Sequence, residues 1–159
     1  TRNGFKATTR FRSLHRGQTS PIKIDLDLTN SDSEQILLPV SDRPVFHHFS
    51  DGLETSVASY ALEEIMAEKI RSIFQRTRSR DLYDIGQLAG RVDRDIVISI
   101  VHRKCEYKEV TVDPALLREK RGQFAALWQV SLGHQIHDIP DFDTAFENVM
   151  GEIEGYSTT

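Results

Sequence analysis

The chain has 159 residues, 38% hydrophobic and 28% charged, with a formal net charge of −4 and a single cysteine. Length and composition fit one globular domain, or one lobe of a larger enzyme. No apolar run reaches the roughly 18 residues of a membrane span, and the lone Cys105 excludes both an intramolecular disulfide and a cysteine-based zinc cluster, so a reducing cytoplasm is the expected setting.

Charge is distributed unevenly. Residues 1–24 carry six Lys or Arg and no acid, whereas residues 138–154 carry six acids and no Lys or Arg. Such asymmetry allows a basic surface for an anionic substrate despite the acidic total, or simply two solvated faces of opposite sign. The chain opens without an initiator Met and as if within a strand at Phe5, so we expect it to be part of a longer protein.

In chain order, Phe5–Leu14 alternates loosely as a strand and Gly17–Pro21 breaks the chain, predicting a hairpin. Pro21–Thr29 is the clearest strand: Ile22, Ile24, Leu26 and Leu28 alternate with Lys23, Asp25 and Asp27. Asn30–Gln35 reads as a loop. Ile36–Val40 and Pro44–Phe49 read as short strands around a turn at Ser41-Asp42-Arg43, and Ser56–Tyr60 leads to a helix with Ser59 as its cap.

That helix is the strongest signal in the chain. Leu62, Ile65, Met66, Ile70, Ile73 and Phe74 recur at spacings of three and four. Lys69 interrupts the stripe near its centre, so its ammonium must snorkel or reach a negative partner. Helices over Asp81–Ala89 (closed by Gly90), Arg94–Lys104, Pro114 to about Val130 (capped by Asp113), and from Pro140 to the region of Ile153 follow. The expected fold is α+β: antiparallel or mixed N-terminal strands over residues 1–58, then a helical bundle over 59–159.

The chemistry concentrates in a few residues. Asp25 and Asp27 share one strand face and can share a hard cation such as Mg²⁺; the alternative is an exposed face in solvent. After the Lys69 helix come Arg76, Arg78 and Arg80, then Asp81 and Asp84, a grouping that resembles a phosphate-handling site. Locally, Asp81 also reads as an N-cap with Asp84 completing a capping-box-like pair, and Lys69 as a structural partner of either. His47-His48 point opposite ways along a strand, and His134 with His137 makes only a weak metal pattern. No Walker loop or glycine-rich dinucleotide fingerprint occurs.

The string EEIMAEKIRSIFQRTRSRDLYDI resembles the nucleotidyltransferase-like toxin family AbiEii/AbiGii, whose members carry E-x-x-A-E-K followed by R-D-x-Y-D; the likeness covers roughly residues 22–90. The resemblance implies a polymerase-β-like nucleotidyltransferase lobe, with Asp25, and Asp27 as its neighbour, ligating Mg²⁺. It implies that Lys69, with Arg78 and Arg80, holds the phosphates of a nucleoside triphosphate, and that Lys69, Asp81 and Asp84 form the catalytic set. RNA as acceptor and a cognate antitoxin as partner are implied in the same way. The family's opening Gly-Ser or Gly-Thr followed by D-x-D does not occur, so the chain is expected to be either a C-terminal portion, the simpler explanation, or a degenerate relative, and in both cases inactive alone. Alternatives from other classes are a non-catalytic interaction domain using the C-terminal helices and a nucleic-acid-binding module using the basic N-terminal segment.

Overall fold

The computed structural model describes residues 4–12, 19–27, 36–45 and 54–157, with β1 and β2 described by their backbone. The chain forms two compact units, Thr1–Gln35 and Ile36–Thr159. The strand-rich segment 1–58 read from the sequence therefore contributes one hairpin to the first unit and one to the second.

In the first unit, β1 (Gly4–Arg12) pairs antiparallel with β2 (Thr19–Asp27). The register sets Gly4 opposite Asp27, Lys6 opposite Asp25 and Arg12 opposite Thr19. β2 begins two residues before the expected position, and Pro21 sits in the ladder opposite Arg10. A two-stranded ribbon tolerates this, because each strand has an outer edge where a missing N–H costs no ladder bond.

The second unit opens differently from the reading of its sequence. Residues 36–40 form no strand; the strand is β3 (Ser41–Pro44), placed on the expected turn, and it pairs antiparallel with β4 (Ser56–Ser59). Residues 46–49 of the other expected strand lie outside the described residues. The misreading has a physical cause. β3 is exposed along its whole length, so no hydrophobic alternation marks it. Leu37 and Leu38 are apolar because they pack on the helical core, and their N–H groups bond to the Glu64 carboxylate at 3.1 and 3.0 Å instead of to a strand.

The helices are α1 (Leu62–Gln75), α2 (Ser79–Leu88) with a short 3₁₀ turn at Ala89–Arg91, α3 (Arg94–Tyr107), α4 (Pro114–Glu119), α5 (Arg121–Leu132) and α6 (Phe142–Glu154). α1 packs on α2 and α3, and α2 packs also on α5 and α6. The α1 stripe is buried as expected: Met66, Ile70 and Ile73 are fully enclosed, with Leu62, Ile65 and Phe74 packed at the margin. Leu82, Ile85, Val97, Val101, Phe124, Trp128, Phe146 and Ile153 complete the core. Trp128 ties the end together: its indole N–H donates to the Pro140 carbonyl at 2.9 Å, and its ring meets Phe142 edge-on at 5.6 Å.

Helix ends differ in detail from the sequence reading. Ser59 does not cap α1; its hydroxyl donates to the Val57 carbonyl, and α1 starts after Ala61 without a side-chain cap. α2 begins at Ser79, so Asp81 lies inside its first turn and is not its N-cap. Asp113 caps α4 as expected, accepting from the Ala115 N–H at 2.8 Å, while Asp93 and Asp141 cap α3 and α6. The single helix expected from Pro114 to Val130 breaks at Lys120 into α4 and α5. Among the described residues, no helix is long and apolar enough to cross a membrane.

Candidate active site

The α1–α2 connection, Arg76-Thr77-Arg78, leaves helical geometry at both ends: Arg76 and Arg78 are both extended. This short link brings the last turns of α1 beside the first turns of α2. Lys69 then meets both carboxylates that follow. Its Nζ lies 3.0 Å from Asp81 Oδ1 and 2.6 Å from Asp84 Oδ2. The second Asp81 oxygen accepts from Arg76 Nε at 3.0 Å. Lys69 thus escapes its apolar stripe by pairing across the helix interface.

The two aspartates are not equivalent. The Asp81 side chain is 3% exposed with both oxygens engaged, whereas that of Asp84 is 38% exposed. Burial of Lys69 disfavours its charge, but the hydrogen bonds it donates to Asp84 and Asp81, with their negative charges, outweigh that and hold the ammonium above the ordinary lysine value. It stays a cation at neutral pH. Asp81, in the first turn of α2, is also favoured by the positive end of that helix.

A second ionic group lies on another side of α1, and the sequence reading missed it. Lys104 of α3 reaches Glu64 Oε1 at 2.6 Å and Glu68 Oε2 at 3.5 Å, and Arg71 pairs with Glu68. Glu64 also takes the Leu37 and Leu38 N–H groups, so its carboxylate fixes the strap that enters the bundle. Burial opposes the charge of Glu68, yet Arg71 and Lys104 hold its pKa below the ordinary glutamate value. Burial pushes the neighbouring Cys105 thiol up to about 11, Glu68 adding to the rise and Arg71 opposing it. The signal was available: Glu64 and Glu68 are one turn apart on α1, and a lysine ends the apolar stripe of α3.

Arg78 and Arg80 take a third position. With Thr77, Ser79, Leu127 and Ser131 they line a groove of about 280 Å³ between the start of α2 and α5. Arg80 Nε donates to the Ser131 carbonyl at 3.1 Å, and the Ser79 hydroxyl to the Phe124 carbonyl at 3.0 Å.

Asp25 and Asp27 lie two apart on β2, and their side chains fall outside the described residues. So do His47 and His48, while His134 and His137 are exposed. Among the described residues, no group of three or more His, Cys, Asp or Glu could hold a metal ion. Asp81 and Asp84 face an ammonium, so the described carboxylates do not fit a Mg²⁺ centre by themselves.

Residues 1–148 match one family model, described as AbiEii, nucleotidyl transferase AbiEii toxin, type IV toxin–antitoxin system. No curated protein and no solved structure matches the chain.

Proposed function

Because this chain belongs to the AbiEii nucleotidyl transferase toxin family of type IV toxin–antitoxin systems, which implies a cognate antitoxin, we propose that its α1–α2 junction carries the reacting groups of nucleotidyl transfer from a nucleoside triphosphate. One observation carries the reading: Lys69 Nζ bridges a buried and a half-exposed carboxylate, at 3.0 and 2.6 Å.

The unequal exposure divides the labour. Asp81, saturated by Lys69 and Arg76, is the positioning residue. Lys69, kept protonated, presents a fixed positive charge to a phosphoryl group as negative charge develops there. Asp84 retains access to solvent and is the base: it takes the proton of an acceptor hydroxyl as the new oxygen–phosphorus bond forms and pyrophosphate departs. RNA is the acceptor class that the family resemblance brings forward. Mg²⁺ is assigned with Asp25 and Asp27 on the same ground, and no step above is routed through it.

The test uses the complete protein, labelled nucleoside triphosphate, Mg²⁺ and total RNA. Asp84→Asn should lower label transfer by about 10²–10⁴-fold, the usual worth of a positioned base. Asp25→Asn should abolish transfer while leaving the melting temperature nearly unchanged. Transfer at the unsubstituted rate in Asp84→Asn would remove the base from this junction.

A further inference from the structure

The basic start of the chain contributes nothing to the α1–α2 junction, and the register of the first hairpin sorts its residues. Directly opposed residues of an antiparallel pair share a face, and alternate rungs share it too. One face of the β1–β2 ribbon therefore carries Phe5, Ala7 and Phe11 with Ile22, Ile24 and Leu26. The other carries Lys6, Arg10 and Arg12 with Lys23, Asp25 and Asp27.

Along that polar face the signs are separated. Asp25 and Asp27 stand at the Gly4 end, with Lys6 opposite Asp25, a placement of unlike charges that favours pairing. The next three rungs, Thr8 with Lys23, Arg10 with Pro21 and Arg12 with Thr19, bring together three cations and no acid. They extend over about 14 Å at roughly 3.4 Å per residue. A merely solvated face gains from mixing its signs, because like charges on neighbouring rungs oppose pairing. Acids for such mixing are not lacking, since the chain has 24 of them against 20 Lys and Arg. A negative ligand lying along the row relieves the repulsion.

An extended ligand fits this row best. Successive phosphates of one nucleic-acid strand accept from Lys, Arg and Thr donors without any reading of sequence. Thr8, in the middle of the polar face, is exposed. A two-stranded ribbon needs its apolar face covered to be stable, which leaves the polar face for a ligand.

We propose that the β1–β2 ribbon is a track for the phosphodiester backbone of a single RNA strand, with Arg12, Arg10 and Lys23 as its cations, running toward the Asp25 end. It rests on the nucleotidyl-transfer reading only for RNA as the kind of strand; the cation row is independent of that reading.

The experiment is an anisotropy titration of a labelled single-stranded oligoribonucleotide with the full chain, between about 50 and 200 mM salt. A nucleoside triphosphate and poly-glutamate serve as competitors. The titration is repeated for Arg10→Gln, Arg12→Gln and Lys23→Gln, and for Arg103→Gln, an equal charge change at an exposed position of α3. Each variant is first checked for an unchanged circular dichroism spectrum, and three positions on two strands keep the test open if one substitution disturbs the pairing. The logarithm of the association constant should fall against the logarithm of salt with a slope of about −2, roughly 0.7 for each of three phosphate contacts. Each ribbon variant should flatten the slope by about 0.7 and weaken binding about tenfold, whatever the base sequence. Arg103→Gln should change affinity by less than about twofold, because a distant exposed charge is screened. No binding of the oligoribonucleotide, an unchanged slope in the ribbon variants, or an equal loss in Arg103→Gln would overturn the track. Displacement by poly-glutamate at equal charge would overturn it by making the ribbon a general anion surface, and displacement by the triphosphate at equal phosphate would overturn it in favour of a nucleotide. Flattened slopes in the ribbon variants together with full transfer by Asp84→Asn would keep the track and remove the reacting base. Unchanged slopes with transfer lost in Asp84→Asn would do the opposite.

Discussion

Lys69 shows how a charge can sit in an apolar stripe. Its stem packs where an aliphatic residue would, and its ammonium ends between Asp81 and Asp84. The stability cost of disturbing this group should follow burial. Asp81→Asn leaves Arg76 without its partner and Lys69 with Asp84 alone, and should cost about 2 kcal/mol. Lys69→Met keeps the stem and leaves Asp81 held by Arg76, so about 1–2 kcal/mol is expected, below the 3–5 kcal/mol of a fully unpaired buried charge. Asp84→Asn, half in water, should cost about 1 kcal/mol or less. Urea denaturation of the three variants checks the order, and a larger loss from Asp84→Asn than from Asp81→Asn would refute it.

Cys105 provides a separate test by pH. Its thiol loses its proton near 9.0 when unfolded but only near 11 in the fold. Between those values the unfolded chain binds fewer protons, so stability falls as pH rises. Lys69 and Tyr156, both raised, act in the same direction above about 10. Burial is the main cause for Tyr156, with Glu152 adding and Arg94 opposing. The melting temperature should therefore decline from about pH 9, and Cys105→Ala should flatten the first part of that decline. An identical alkaline profile for the variant would show that the thiol does not titrate with unfolding.

At the scale of elements, the break between α4 and α5 has a function in the packing. Lys120, where the helix interrupts, sends Nζ to the Ile73 and Phe74 carbonyls at 3.4 and 2.7 Å. These belong to the last turn of α1, whose carbonyls lack helical donors, and a lysine there satisfies both hydrogen bonding and the negative helix end. Lys120→Met should cost about 1–2 kcal/mol, and Asp93→Ala, which removes the α3 cap, about 1 kcal/mol. Thermal melts compared with a surface control such as Glu147→Gln would show whether Lys120 is a cap or an idle surface lysine.

The elements were legible in the sequence wherever burial imposes a period. α1, α2, α3 and α6 each present an apolar face that recurs at helical spacing, and β2 was read from the alternation of its sequence. β3 was not legible because both its faces are in solvent, and Ile36–Val40 misled because its leucines serve the helical core. Lys120 was hidden because it is one polar residue in a helical stretch; only the position of α1 shows what it meets. In the site, the anomaly of Lys69 pointed to a partner, but the division between buried Asp81 and open Asp84 depends on α2 starting at Ser79. The Glu64–Lys104–Glu68 group was unread because its partners are 36 to 40 positions apart.

At the scale of the whole molecule, the core and the Lys69 group both lie within Ile36–Thr159. That segment should unfold cooperatively by itself, with the helical circular dichroism of the full chain; a broad, non-cooperative melt would show that the first unit is needed for folding. The family assigns the chain to nucleotidyl transferase toxins, and the α1–α2 junction supplies a geometry in which a fixed cation and an accessible carboxylate share a proton-bearing contact at 2.6 Å.

That Lys69 and Asp84 act as one unit is the central claim, and a double-mutant cycle on the rate of label transfer by the complete protein tests it most directly. Lys69→Met and Asp84→Asn should each lower the rate by about 10²-fold or more, and the double variant should lose little beyond either, because groups acting together are not additive. Losses that multiply would mean that the two residues contribute independently, contradicting the account.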